Sequence, residues 1–225
     1  MADASPLDLS QIETYLKESD FQYRLKAIAA LRHYPPATAI PLFIKHLRDE
    51  EFLVRSFVAR ELGHHLTDDA FAALLQIIKL DGNPNVRAEA ANSLSLFGPV
   101  SAAHLVQMFV QDDHWLVRRS ILAALTEMHC SEELYEVCTE GLNGDDPAVR
   151  EAAVDALAVL SGSSKHVQAL EQLLVLAQSP FERIRIHVAH ACRHFDDDAA
   201  KAALNQLRQD PDHRVVGAAI EGLIT

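Results

Sequence analysis

The chain has 225 residues, and its 49% hydrophobic content, weighted toward Ala and Leu over β-branched and aromatic types, supplies a core and points to helix rather than sheet. A formal charge of −12 without any dense Lys/Arg block argues against phosphate backbones and anionic lipid as partners. No run of about 18 apolar residues is present to insert into a membrane.

The N-terminal Met-Ala-Asp-Ala-Ser-Pro-Leu-Asp lacks the basic and then apolar regions of a secretory leader. Cys130, Cys138 and Cys192 form neither a CxxC pair nor an even set. The expectation is a cytoplasmic protein with reduced, mostly buried thiols.

Taken in chain order, the sequence opens with an apolar segment at 8–18 and then falls into a repeat. A short apolar residue followed by arginine returns at Arg24, Arg55, Arg87, Arg118, Arg150 and Arg185, with spacings of 31, 32, 31, 32 and 35. The register continues to Val216, where the arginine is lost. Three, four and seven residues after each marker stand apolar or small residues: Ala27/Ile28/Leu31, Val58/Ala59/Leu62 and their counterparts as far as Ala219/Ile220/Leu223. Those offsets share one helical stripe.

A second apolar segment follows each marked helix, at 39–48, 70–80, 102–111, 133–143, 166–178 and 200–209. Two helices per repeat describe an antiparallel hairpin that must stack on its neighbours to bury both faces. The repeats fall at about 20–50, 51–82, 83–112, 113–145, 146–180 and 181–210, between caps at 1–19 and 211–225, as one domain over 1–225. Gly162, Ser163 and Ser164 absorb the excess of the longest repeat. Three residues before the markers stand Phe21, Phe52, Pro84, Trp115 and Pro147, then Glu182 and His213. Proline suits a first helical turn and an aromatic staples it, so Trp115 is read as a packing residue.

The stretches DEEFLVRSFVARELG, GNPNVRAEAANSLSLFG, DDHWLVRRSILAAL and DDPAVREAAVDAL resemble HEAT repeats, specifically the short repeats of phycobiliprotein lyase subunits and other cyanobacterial proteins. The resemblance covers essentially the whole chain. It implies an all-α fold, a right-handed α-solenoid of about six hairpins with partial terminal repeats. It further implies a protein-binding scaffold in photosynthetic or cofactor assembly, its partner a phycobiliprotein or an A-type iron–sulphur carrier. The alternative it implies is a bilin-handling subunit, a lyase or a dechromophorylating factor.

No residue set supports catalysis. There is no Walker loop, GxSxG turn or HExxH helix, and the His-Glu dyads of HEAT-type deoxyhypusine hydroxylase are absent. Cys130 beside His129 is read as a hairpin-turn residue. Asp196-Asp197-Asp198 is read as a capping turn. His187, His190 and His194 share a stripe opposite the core but lack an acidic or thiolate ligand, so no metal or other cofactor is expected. Acidic groups such as Asp49/Glu50/Glu51, Asp112/Asp113 and Asp145/Asp146 precede markers, so Asp–Arg pairs are expected to tie the repeat junctions.

In the second helices the core is expected at Phe43, Ile44 and Leu47, then Leu74, Leu75 and Ile78. The intervening positions would form a groove, polar at its ends, with Ile77, Met108, Phe109 and Leu176 as partner-binding residues.

Overall fold

The computed structural model describes residues 7–221, in which every regular element is a helix. Contacts divide the chain into two compact units, Met1–Met108 and Phe109–Thr225.

In unit 1, α1 (Leu9–Tyr15), α3 (Pro36–Lys45) and α5 (Asp68–Leu80) alternate with α2 (Phe21–Leu31), α4 (Phe52–Gly63) and α6 (Pro84–Ser95). A single 3-10 turn, Gly98–Ser101, leads to α7 (Ala102–Gln111). In unit 2, the first helices are α8 (Trp115–Met128), α10 (Pro147–Val159), α12 (Glu182–Cys192) and α14 (His213–Ile220). Its second helices are α9 (Ser131–Asn143), α11 (His166–Leu176) and α13 (Asp198–Leu207).

The residue three before each marker is the first residue of its helix in every repeat, Phe21 through His213. Just ahead of it stands a capping residue: Asp20, Asn83, His114, Asp146 and Asp212 each accept a backbone N–H of the opening turn. The first-helix stripe is buried as the offsets require, from Ala27, Ile28 and Leu31 to Val188, Ala189 and Cys192. It weakens at the end, where Ala219 is buried and Ile220 is exposed. Leu223 lies outside the described residues.

Small residues set how closely the helices approach. A Cβ on Gly63 of α4 would lie 2.9 Å from Ser93 Cβ of α6. In unit 2, a Cβ on Gly141 of α9 would lie 3.3 Å from each of Ala153 Cβ, Val149 Cγ1 and Phe109 Cζ.

The second-helix stripe is rotated relative to the sequence expectation. In α5 it runs Ala70, Ala73, Leu74, Ile77 and Ile78, with Leu75 half-buried. In α3 it runs Ala39, Ile40 and Phe43, which leaves Ile44 exposed. These are the i, i+3, i+4, i+7, i+8 positions of one helical face.

Candidate functional site

Each marker arginine sits on the fourth residue of its helix, where its guanidinium meets the loop joining two hairpins. Arg24 donates from Nε and Nη2 to the two carboxylate oxygens of Asp49, both at 2.9 Å, and from Nη1 to the carbonyls of Glu18 and Ser19. Arg55 grips Asp81 the same way at 2.7 and 3.0 Å, with Nη1 on the Asp49 carbonyl at 2.7 Å. Arg185 grips Asp210 at 2.7 and 2.9 Å, with Nη1 on the Ser179 carbonyl. Arg87 donates from Nη1 to the Asp81 carbonyl at 2.9 Å.

The Asp–Arg pairs therefore exist, but the carboxylate comes from the loop 25 or 26 residues after the arginine. The acidic group just before the arginine contributes backbone carbonyls instead. Each aspartate is consequently shared. Asp49 takes Arg24 on its side chain and Arg55 on its carbonyl, and it also accepts the Glu51 N–H. Burial alone would push the Asp49 carboxyl up; the Arg24 hydrogen bond and the Glu51 N–H outweigh it and hold it below the usual range. Arg185 does the same for Asp210.

The position two before the helix cap reads Asp49, Asp81, Asp112, Gly144, Ser179 and Asp210. At Gly144 and Ser179 the carboxylate is missing, and both gaps lie in unit 2. Arg118 then makes a single hydrogen bond, from Nε to the Asp112 carbonyl at 2.7 Å, and lies 5.5 Å from the centre of the Phe109 ring. The Arg150 guanidinium lies 5.3 Å from the centre of the exposed Phe181 ring, and among the described residues it has no hydrogen bond or ion pair.

Shallow depressions open between second helices beside closed rungs. One of about 280 Å³ is lined by Arg55 and Asp81 with Leu47 and Leu80, and one of about 440 Å³ by Arg185 and Asp210 with Ser179 and Gln206. In unit 1 the exposed positions of the second helices include Ala72 and Gln76 in α5 and Ala103 and Gln107 in α7. In unit 2 they include Glu132, Glu136 and Glu140 in α9, Glu171 in α11, and Ala202 and Asn205 in α13. Single apolar residues stand exposed at helix ends, Leu80 at 68% and Val175 at 69%, with Ile44 and Val110 less so.

The expected groove is not among these surfaces. Ile77 is 4%, Met108 8% and Phe109 1% exposed, and Leu176 is half-buried beside the exposed Val175. Phe109 is held in the core because its ring fills the space that Gly141 leaves open. Ile77 lies on the buried stripe that continues Ala73 and Leu74. The surface row lies about a third of a turn away, and the sequence signal for it was the Ala/Gln/Glu spacing rather than the apolar pairs.

The three histidines do not converge. His187 meets Asp155 at 2.6 Å and Glu151 at 3.7 Å, whereas His190 lies 3.6 Å from Glu221. Among the described residues no group of three or more His, Cys, Asp or Glu is placed to hold a metal ion. Cys130 caps α9, and burial together with Glu133 pushes its thiol up, away from the thiolate a nucleophile needs. Burial raises Cys138 too, and takes Cys192 up to about 11. Asp197 accepts no backbone capping bond; it pairs with His166 of the preceding hairpin at 3.0 Å. Trp115 opens α8 and remains partly exposed beside His114.

A family model of HEAT repeats matches residues 9–95, 54–126 and 135–224. No curated protein matches the sequence. Among solved structures, the E. coli protein YibA is similar over 97% of this chain and 93% of its own, at 17% identity and a TM-score of 0.59. The complex of CpcE and CpcF of phycocyanin lyase from Nostoc sp. PCC7120 is similar over 99% of this chain and 97% of its own, at 18% identity and a TM-score of 0.54. No helix is long and apolar enough to cross a membrane among the described residues.

Proposed function

Because the chain belongs to the HEAT-repeat family, we propose that it is a non-catalytic scaffold that binds another protein through exposed residues of its second helices within each unit. The observation that carries this reading is a division of labour within each hairpin. The buried stripes and the arginine rungs hold the stack. Among the described residues, of these exposed second-helix Gln, Glu and Ala side chains only Glu132 is drawn into an inter-hairpin pair, with Lys165, so the others and Leu80 or Val175 at a helix end are left for contact. Polar side chains around a few exposed apolar ones suit the solvent-accessible rim of an interface, with Leu80 and Val175 as its apolar contacts. This moves the contact residues from Ile77, Met108 and Phe109 to their exposed neighbours; Leu176 stays within reach through Val175.

The repeat signature supports placing that partner in cyanobacterial photosynthetic or cofactor assembly, as a phycobiliprotein or an A-type iron–sulphur carrier. The same signature supports the alternative of a bilin-handling subunit.

The test is affinity capture from a cyanobacterial lysate with wild type, Leu80→Asp and Val175→Asp, the captured protein being identified by mass spectrometry. Loss of one specific protein in the variants at unchanged melting temperature is the expected result. Equal capture by all three baits contradicts the assigned face. Incubation with phycocyanobilin and an apo-phycobiliprotein addresses the alternative, since a chromophore covalently gained or lost only in the presence of this protein makes it a bilin-handling subunit.

A further inference from the structure

The arginine ladder is built around carboxylates, and two rungs in unit 2, those of Arg118 and Arg150, lack theirs. In the closed rungs the aspartate stands between two arginines, as Asp49 stands between Arg24 and Arg55. Gly144 holds the corresponding place between Arg118 and Arg150, 26 residues after the first and six before the second.

Nothing in the fold requires glycine there. Its backbone is extended, at φ −76° and ψ 169°, which any residue adopts. A Cβ at this position would meet Arg118 Nη1 at 3.6 Å, the Gly141 carbonyl at 3.5 Å and the Glu140 carbonyl at 3.8 Å, all ordinary van der Waals contacts. An aspartate fits, and its carboxylate would meet the Nη side of the Arg118 guanidinium, whose Nε is held by the Asp112 carbonyl.

Arg118 spends Nε on the Asp112 carbonyl and keeps its two Nη groups, and the Arg150 guanidinium makes no hydrogen bond among the described residues. Arg150 rests instead against an exposed aromatic face. An arginine fork matches a carboxylate bidentately, and three sibling rungs show that geometry realised with this same loop. Unit 2 is strongly acidic overall, so its field opposes a polyanion more than a single carboxylate, and the local guanidiniums must supply the attraction.

We infer that the gap at Gly144, between Arg118 and Arg150, is a recognition point for one carboxylate of a bound polypeptide, which completes the open rung from outside. The carboxylate comes from an Asp or Glu side chain or from the C-terminus of a polypeptide. The source of the carboxylate rests on the scaffold reading, but the test below uses no natural partner. Its failure leaves the scaffold standing, and equal capture by the Leu80 and Val175 variants leaves this rung standing.

The experiment follows the Nε–H signals of Arg118 and Arg150 by NMR on the full-length protein. The first titrant is acetyl-Ala-Ala-Glu-Ala-Ala-amide, whose one carboxylate is that of its glutamate, and the second is acetyl-Ala-Ala-Ala with a free C-terminus. Inorganic phosphate is the third. Both signals are expected to move and saturate with the peptide that carries the right carboxylate, which identifies the source.

Gly144→Ala is expected to keep the response because it fills space without charge. Gly144→Asp should weaken it at least tenfold while raising the melting temperature, since the rung closes on itself. Signals that move with neither peptide, move only with phosphate, or move equally in Gly144→Asp overturn the inference. So does a Gly144→Asp protein that melts lower than Gly144→Ala, because the rung would then not accept a carboxylate.

Discussion

Unit 1 and unit 2 share one hairpin design yet handle charge differently. Residues 1–108 carry 10 basic and 13 acidic side chains, and residues 109–225 carry 10 and 19, so three quarters of the net charge lies in unit 2. In unit 1, Arg24 and Arg55 are each closed on a buried aspartate, and Arg32 is bidentate on Glu61, whose side chain is 1% exposed. Unit 2 leaves the Arg118 and Arg150 rungs open. It places its acids in pairs between neighbouring hairpins instead: Arg183 with Glu151, His187 with Asp155, Lys165 with Glu132 and Arg214 with Glu182. Pairs with a solvent-exposed partner contribute little, whereas a buried pair is costly to break. The apolar stack is common to both units, and the polar ladder is where they diverge.

The comparison is tested most severely at one closed rung of unit 1 and one open rung of unit 2. Arg24→Met abandons the buried Asp49 carboxylate and should cost about 3–5 kcal/mol. Arg118→Met abandons no carboxylate. It loses one hydrogen bond to a backbone carbonyl and one ring contact, about 1–2 kcal/mol together. Urea unfolding of the two variants measures the gap, and equal losses would erase the distinction between closed and open rungs.

The apolar cores supply the control. Phe43 and Phe109 are both fully buried, one in each unit. Phe43→Ala and Phe109→Ala should each cost about 3–5 kcal/mol, with no preference for either unit. A near-neutral Phe109→Ala would return that ring to the surface role first expected of it.

A smaller difference is expected at the close approaches. Gly63→Ala drives a methyl to within 2.9 Å of Ser93 Cβ, an atom fixed to a neighbouring helix backbone, so α4 and α6 must move apart. Gly141→Ala meets its three neighbours at 3.3 Å, so each needs to give by only a few tenths of an ångström. Overpacking costs about 1–3 kcal/mol, with Gly63→Ala toward the upper end and Gly141→Ala toward the lower. Melting temperatures of the pair in the reverse order would show that α9 is the tighter contact.

What the sequence revealed follows from which signals repeat. The marker arginine, the residue three before it and the stripe three, four and seven after it recur with little drift, and each occupies its expected place from Phe21 to Val188. The rung partner is hard to see in sequence because the nearest acidic residues precede the arginine, while the carboxylate that binds it stands 25 or 26 residues later. Only the hairpin's return brings Asp49 or Asp210 onto the guanidinium. The second helices were misread because adjacent apolar pairs such as Phe43/Ile44 and Leu74/Leu75 each straddle the edge of the buried face. The longer stripe Ala70, Ala73, Leu74, Ile77, Ile78 identifies that face correctly, but two alanines hide it. The missing carboxylate at Gly144 was visible all along, and it acquires meaning only beside the filled rungs.

The smallest expected effect separates the units by the sign of their response to pH. In unit 1, His65 is buried against Phe43, and its Nε2 has no partner. Burial pushes its pKa below the ordinary value, with Glu61 opposing and His64 assisting. A depressed folded pKa means that the unfolded state takes up the proton first. The stability His65 contributes is therefore present above about pH 6.5 and is lost as pH falls through its folded value. In unit 2, the hydrogen bond to Asp155 raises His187, burial opposes it, and the charges of Asp155 and Glu151 add to the rise against Arg183. Here the folded state holds the proton longer, so the contribution is complete below about pH 6.5 and is lost as pH rises through the folded pKa. His65→Leu should therefore flatten the loss of melting temperature between pH 7 and pH 5, and His187→Gln the loss between pH 6 and pH 8. Variants that leave both slopes unchanged would show that neither histidine is coupled to folding, and a His187→Gln protein that steepens the alkaline loss would reverse the sign assigned to the Asp155 pair.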